Sequence, residues 1–175
     1  MKTVLKYSGI ISAVLAIVAF ILLLATPGVK YTTTQNVIGS SSGTTSIAGT
    51  VCIFGGTDYK YASTWAGLLA FILVVVALVI LCAGIILPML KVKALDKFAG
   101  VLNLVAVLSL ICAGIFAFCI VVAFKSANGD AGFSIGNAVS ATYSIGAGWV
   151  ISGIILIAAG ALAVAPTIAD FASKK

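Results

Sequence analysis

Four long stretches without a charged residue dominate this sequence, and they leave the chain few ways to fold. Tyr7 to Val29, Tyr61 to Leu90 and Phe98 to Phe124 contain neither Lys nor Asp; the fourth lies in the uncharged tract Ala131 to Ala169, best placed over Tyr143 to Ala165. Each supplies the roughly 20 apolar residues a helix needs to cross about 30 Å of hydrocarbon. We set the spans at about 7–27, 63–90, 98–124 and 143–165, with outer loops 28–62 and 125–142, in one four-span membrane domain covering 1–175. Pro27 and Pro166 stand where the first and fourth helices should stop, because proline cannot continue the hydrogen-bond ladder; Pro88 can kink the second near its end.

Composition closes the alternatives. Hydrophobic residues make up 62% of the 175 and charged residues 8%, against about 45–50% and about 25% in soluble domains. Too few polar groups remain to cover a water-soluble globule, and disorder requires low hydrophobicity. The ionisable set is ten Lys and four Asp, with no Arg, Glu or His. Lys2, Lys6, Lys91, Lys93, Lys97, Lys174 and Lys175 fall on one side of the spans, and only Lys30, Lys60 and Lys125 on the other. The excess of lysine marks the cytoplasmic side, so both termini are expected in the cytoplasm of a plasma membrane. The N-terminus also has the look of a secretory signal, but its apolar run is long and LLLATPG is a poor cleavage site, so it is read as a membrane helix. Tyr31, Trp65, Tyr143 and Trp149 are placed at the outer membrane interface, where aromatic rings favour the headgroup level.

Helices in lipid associate through small residues that let their backbones approach. Such residues recur every seven positions: Ser63, Ala70, Ala77 and Gly84 in the second span; Ala99, Ala106 and Ala113 in the third; Gly146, Gly153 and Gly160 in the fourth; and Ser12, Ala19 and Thr26 in the first. A heptad seam predicts left-handed crossing near +20°. Asn103, the most polar side chain in a span, is expected to hydrogen-bond across a helix interface, with pore lining as the alternative. Ser109 and Ser152 are expected to bond back to their own helices.

Outside the spans, YTTTQNVIG and TTSIAGTVCIFGG read as strands separated by GSSSG at Gly39 to Gly43 and ended by Gly55-Gly56. In the second loop Asn128-Gly129-Asp130 signals a turn, and the FSIG that follows can add a strand. Cys52 stands alone in the outer region, as a free thiol or, less favoured, an intermolecular bridge. Cys82, Cys112 and Cys119 read as small core hydrophobes. The expected fold is an all-α integral membrane protein, a left-handed four-helix transmembrane bundle with a small extracellular β-sheet cap.

Chemistry is constrained by what is missing. With no His there is no Ser-His or Cys-His pair, and zinc loses its commonest nitrogen ligand. Asp58, Asp96, Asp130 and Asp170 fall in separate segments, so no carboxylate pair is expected. No ionisable group lies within a span to couple ion or proton movement. No enzyme activity, cofactor, metal or nucleic-acid partner is expected. Membrane lipids and either further copies or other membrane subunits are.

The segment GWVISGIILIAAGAL, Gly148 to Leu162, resembles the fourth helix of claudins, in which a Gly-Trp pair precedes small residues and Leu-rich turns. Chain length, four spans, cytoplasmic termini and a long first outer loop are similar to that superfamily. The family's first loop carries Trp, Gly-Leu-Trp and two bridging cysteines, whereas this loop has only Cys52 and no Trp before Trp65. The resemblance implies architecture and assigns no receptor-binding residue. The function expected is a non-catalytic structural tetraspan that self-associates or joins a larger membrane assembly. The alternative is a channel or transporter subunit whose uncharged helices line or flank a path; a protective immunity factor is a third reading that no residue selects.

Overall fold

A computed structural model describes residues 2–35, 41–56, 61–89, 99–129 and 139–172. In chain order the elements are α1 (Lys2–Ala25), β1 (Pro27–Gln35), β2 (Ser41–Ala48), α2 (Gly49–Phe54), α3 (Trp65–Met89), α4 (Ala99–Phe118), α5 (Ile120–Asn128), β3 (Val139–Ile145) and α6 (Ala147–Ala172). Four helices are long and apolar enough to cross a membrane, over Tyr7–Ala25, Trp65–Ile86, Gly100–Phe118 and Ala147–Ala165. α6 packs along both α1 and α4, and α3 lies against α4 and, less extensively, α1. Phe20 and Phe71 join α1 to α3, with ring centroids 5.5 Å apart.

Small residues fill the centre. Ala16, Ala19, Ala70, Ala77, Ala106, Ala113 and Ala159 are fully buried, with Leu110 and Leu156 between them. Large aliphatics such as Ile17, Val79, Leu108 and Ile154 point outward. Such an inverted arrangement suits an apolar solvent, where close backbone approach drives packing.

One end of the bundle carries an antiparallel sheet ordered β2-β1-β3. The central strand pairs Val29 with Ile47 and Ile145, Tyr31 with Thr45 and Tyr143, and Thr32 with Thr44 and Thr142. Its base is anchored by burial of Val29 and Ile47 in the bundle core.

Five expectations about the chain's course are corrected. GTVCIF does not extend a strand but forms α2: the Gly49 N–H bonds to the Thr26 carbonyl at 3.0 Å, and Cys52 and Ile53 are buried beneath the sheet. Tertiary burial here overrides the strand preference of Val and Ile. The fourth helix starts at Ala147 rather than Tyr143, because 139–145 is drawn into the sheet by β1. The strand sought in FSIG lies outside the described residues. The third helix is interrupted at Cys119, whose N–H is shared between the carbonyls of Ile115 (3.2 Å) and Phe116 (3.1 Å), and α5 resumes beyond it. Pro166 lies inside α6, which continues to Ala172; neighbouring helices can satisfy the groups a proline frees. Of the turn at Gly39 to Gly43, the last three residues belong to β2 and the first two lie outside the described residues.

Candidate functional site: the junction of cap and bundle, and the sheet it holds

α1 passes into β1 through a single residue, Thr26, so the orientation of the sheet is set where the helix ends. The last four carbonyls of a helix lack intrahelical partners. That of Leu22 takes the Thr26 N–H (3.0 Å) and Oγ1 (2.6 Å), and that of Leu23 takes the indole Nε1–H of Trp149 (3.1 Å). Trp149 is fully buried. It was expected at the headgroup level; it lies at the sheet-bearing end, but its ring is turned inward because α1 supplies a carbonyl for its N–H.

Four glycines make room for this contact. A Cβ on Gly49 would collide with the carbonyl oxygens of Leu23 and Thr26; one on Gly146, with that of Pro27; one on Gly148, with the Thr26 side chain. A Cβ on Gly28 would lie 2.8 Å from the Cys52 sulfur and 3.2 Å from the Trp149 ring. The Gly146 N–H also bonds to the Gly28 carbonyl at 2.9 Å. Neither Gly28 nor Gly49 was singled out from the sequence, since each is a local residue whose constraint comes from a remote one.

The loop entering α3 is fastened twice. Thr64 Oγ1 donates to the Cys52 carbonyl (2.7 Å) and accepts the Gly67 N–H (3.1 Å), an N-cap reaching the third helical residue. Asn128, at the end of α5, accepts the Ala62 N–H (2.6 Å) while its amide donates to the Phe124 carbonyl (3.2 Å). Cys52 is a buried free thiol. Burial pushes its pKa up from 9.0 to about 12, partly offset by backbone hydrogen bonds at Val29 and Gly28. With no exposed surface it is closed to an intermolecular bridge as folded.

Hydrogen bonds also join the two helices most distant in sequence. Ser12 Oγ donates to the Ala159 carbonyl (2.7 Å), Ser152 Oγ to that of Ala19 (3.3 Å), and Trp149 completes the row at Leu23. Ser152 Oγ also bonds back to Gly148 of its own helix (2.8 Å), as expected of it. The cross-helix role of Ser12 was missed, although its heptad spacing from Ala19 signalled the face.

The seam residues divide between interior and exterior. Ala70, Ala77, Ala106 and Ala113 are fully buried, and Gly146, Gly153 and Gly160 are buried. Gly153 and Gly160 face α4: a Cβ on Gly153 would sit 2.9 Å from the Phe118 ring and 3.2 Å from the Gly114 carbonyl; one on Gly160, 2.7 Å from Ile111. Gly84 is exposed, and the nearest atom to a Cβ there is Oδ1 of Asn103 at 3.8 Å, so the structure brings these two predicted residues together. Ser63 is exposed, and Ala99 is the first residue of α4. Two intramembrane-type cysteines are corrected: Cys82 and Cys112 are exposed rather than core, since a thiol gains nothing from burial when the outside is also apolar. Cys119 is half-buried at the helix break.

The sheet's two faces differ in kind. Toward the bundle it presents Val29, Ile47 and Ile145, then Tyr31 and Tyr143, whose rings lie 5.2 Å apart. Tyr143 also meets Phe124 of α5 at 6.2 Å, and the exposed Lys125 ammonium lies 5.1 Å from the Tyr143 ring centroid. Alternation sends Lys30, Thr32 and Thr34 to the opposite face with Ser46, Thr44 and Ser42 from β2 and Ser144 and Thr142 from β3. Thr32 and Thr44 approach to 3.3 Å through their hydroxyls. Trp65, half-exposed at the start of α3, meets Phe116 edge-on at 5.9 Å. Compared with protein-family profiles the chain finds no match, and it finds none among curated proteins.

Proposed function

We propose that this chain is a non-catalytic structural tetraspan that self-associates or serves as a subunit of a larger membrane assembly. In this reading its four apolar helices cross a plasma membrane as a left-handed bundle, both termini lie in the cytoplasm, and the sheet projects from the outer side. The claudin-like architecture suggested by Gly148 to Leu162 belongs to the same proposal. The observation that carries it is the sheet: it is fixed rigidly to the bundle by buried Trp149, yet turns away from the bundle a face of hydroxyls on which Lys30 is the one charged residue among those described. A rigidly held, hydroxyl-rich surface with a single lysine suits contact with another macromolecule more than it suits chemistry.

Crosslinking in native membranes, followed by sizing in detergent, tests the reading. Discrete multiples of the chain, or a reproducible larger complex, are the expected result. A strictly solitary monomer in both measurements refutes it. Liposome flux through the purified protein, abolished by Asn103→Leu, would instead establish the channel alternative.

A further inference from the structure

The sheet has two outer strands, and they are not equally protected. An outer strand presents unpaired backbone N–H and C=O groups, and proteins guard such edges with charge, proline or a bulge. The residues of β3 include no charge and no proline, but the ammonium of Lys125 from α5 lies 5.1 Å from the ring centroid of its Tyr143. β2 contains no charged residue and no proline, and Ser42 through Ser46 are exposed. Among the described residues no strand pairs with its outer side.

We propose that β2 is the pairing edge for a second copy of this chain, the two β2 strands running antiparallel about a two-fold axis with Thr44 opposite Thr44 of the partner subunit. The proposal rests on the self-association put forward above and names its surface. The occupant follows from the edge itself. An isologous contact requires a patch to complement itself. A charged strand would repel its copy, whereas hydroxyls both donate and accept and carry no charge. In this register Ser42 faces Ser46 of the partner subunit. The row Thr142-Thr32-Thr44 then continues through Thr44, Thr32 and Thr142 of the second copy. Within one chain the structure already shows the contact this requires, the 3.3 Å approach of the Thr32 and Thr44 hydroxyls. Threonine pairs directly across strands are a stabilising unit of sheets.

The test uses the full chain in detergent, where no membrane geometry constrains the pair. Directly opposed residues in an antiparallel sheet lie about 4.5–5.5 Å apart at Cα, within the span of a disulfide. Mild oxidation of Thr44→Cys should therefore give a covalent dimer well above the background of the parent chain, and Thr142→Cys, exposed on β3, should not. Thr44→Lys and Thr44→Glu should each weaken association by about tenfold through like-charge opposition, and mixing the two should restore it. A dimer from Thr142→Cys instead, or no gain from Thr44→Cys in a chain that is otherwise oligomeric, overturns the β2 edge while leaving self-association standing. Unchanged association of both charged variants overturns it as well. A monomeric parent in detergent and in native membranes removes the broader reading and this one with it.

Discussion

Replacing Trp149 by Phe isolates the contact that ties the cap to the bundle. The indole N–H is the 3.1 Å partner of the Leu23 carbonyl, one of the last four of α1, and the ring is wholly enclosed. Phenylalanine keeps an aromatic ring but no donor, and leaving a buried acceptor unpaired costs about 1–3 kcal/mol. The smaller ring also leaves a void, worth about 1 kcal/mol at the usual cost per volume of cavity. Because the glycines around it are held by backbone carbonyls of Leu23, Thr26 and Pro27, the walls have little freedom to close in. The expected loss is about 2–4 kcal/mol in total. Trp65→Phe supplies the control, since that ring is 46% exposed and surface changes usually stay within about 0.5 kcal/mol. Reversible unfolding in detergent, followed by far-ultraviolet circular dichroism, measures both. Equal destabilisation by the two variants would refute the argument, for it would mean that neither enclosure nor the Leu23 bond matters.

Other outcomes follow from the same geometry. Ser12→Ala and Ser152→Ala should each cost about 0.6 kcal/mol, with about 1.7 as a ceiling, and they should add, because about two turns of α1 separate Ser12 from Ala19, the acceptor of Ser152; unfolding of the double variant checks this. Gly153→Val should disrupt the approach of α6 to α4, whereas Gly84→Ala, with its nearest atom at 3.8 Å, should leave unfolding unchanged. Cys52 should resist maleimide in the folded chain at pH 8 and react once denatured. Its folded pKa is raised, so the stability it contributes is complete below pH 9 and is lost as pH climbs toward 12; titrating unfolding against a Cys52→Ala variant reads the difference. Asn128→Ala should free the Ala62 backbone, seen as faster amide exchange at the entry to α3 with little change in the bundle.

The number and place of the long helices were legible because uncharged runs of this length have no other home. Which side of each helix faces inward was only partly legible. In a chain whose exterior is as apolar as its interior, hydropathy has no gradient across a helix, and only small residues mark the inward face. Hence Ala70, Ala77, Ala106 and Ala113 were readable, whereas outward-facing Cys82 and Cys112 were mistaken for core. The cap was harder still. GTVCIF carries the residues of a strand and folds as a helix because Thr26, more than twenty positions earlier, offers its carbonyl to Gly49. Tyr143 looks like the first residue of a membrane helix until β1 claims it as a partner for Tyr31. Both errors come from contacts between segments far apart in the chain, which no local window contains.

The row of bonds at Ser12, Ser152 and Trp149 has a consequence for how the protein is made. It joins α1 to α6, so α1 finds these partners only after α3 and α4 have been synthesised and α6 arrives. Until then the carbonyls of Ala19 and Leu23 wait for donors from α6, and β1 lacks both β3 and the indole that holds its base in place. Assembly is therefore a clasp that shuts only once α6 has been made, and a chain stopped before Ala147 would have its other long helices yet no fastened cap.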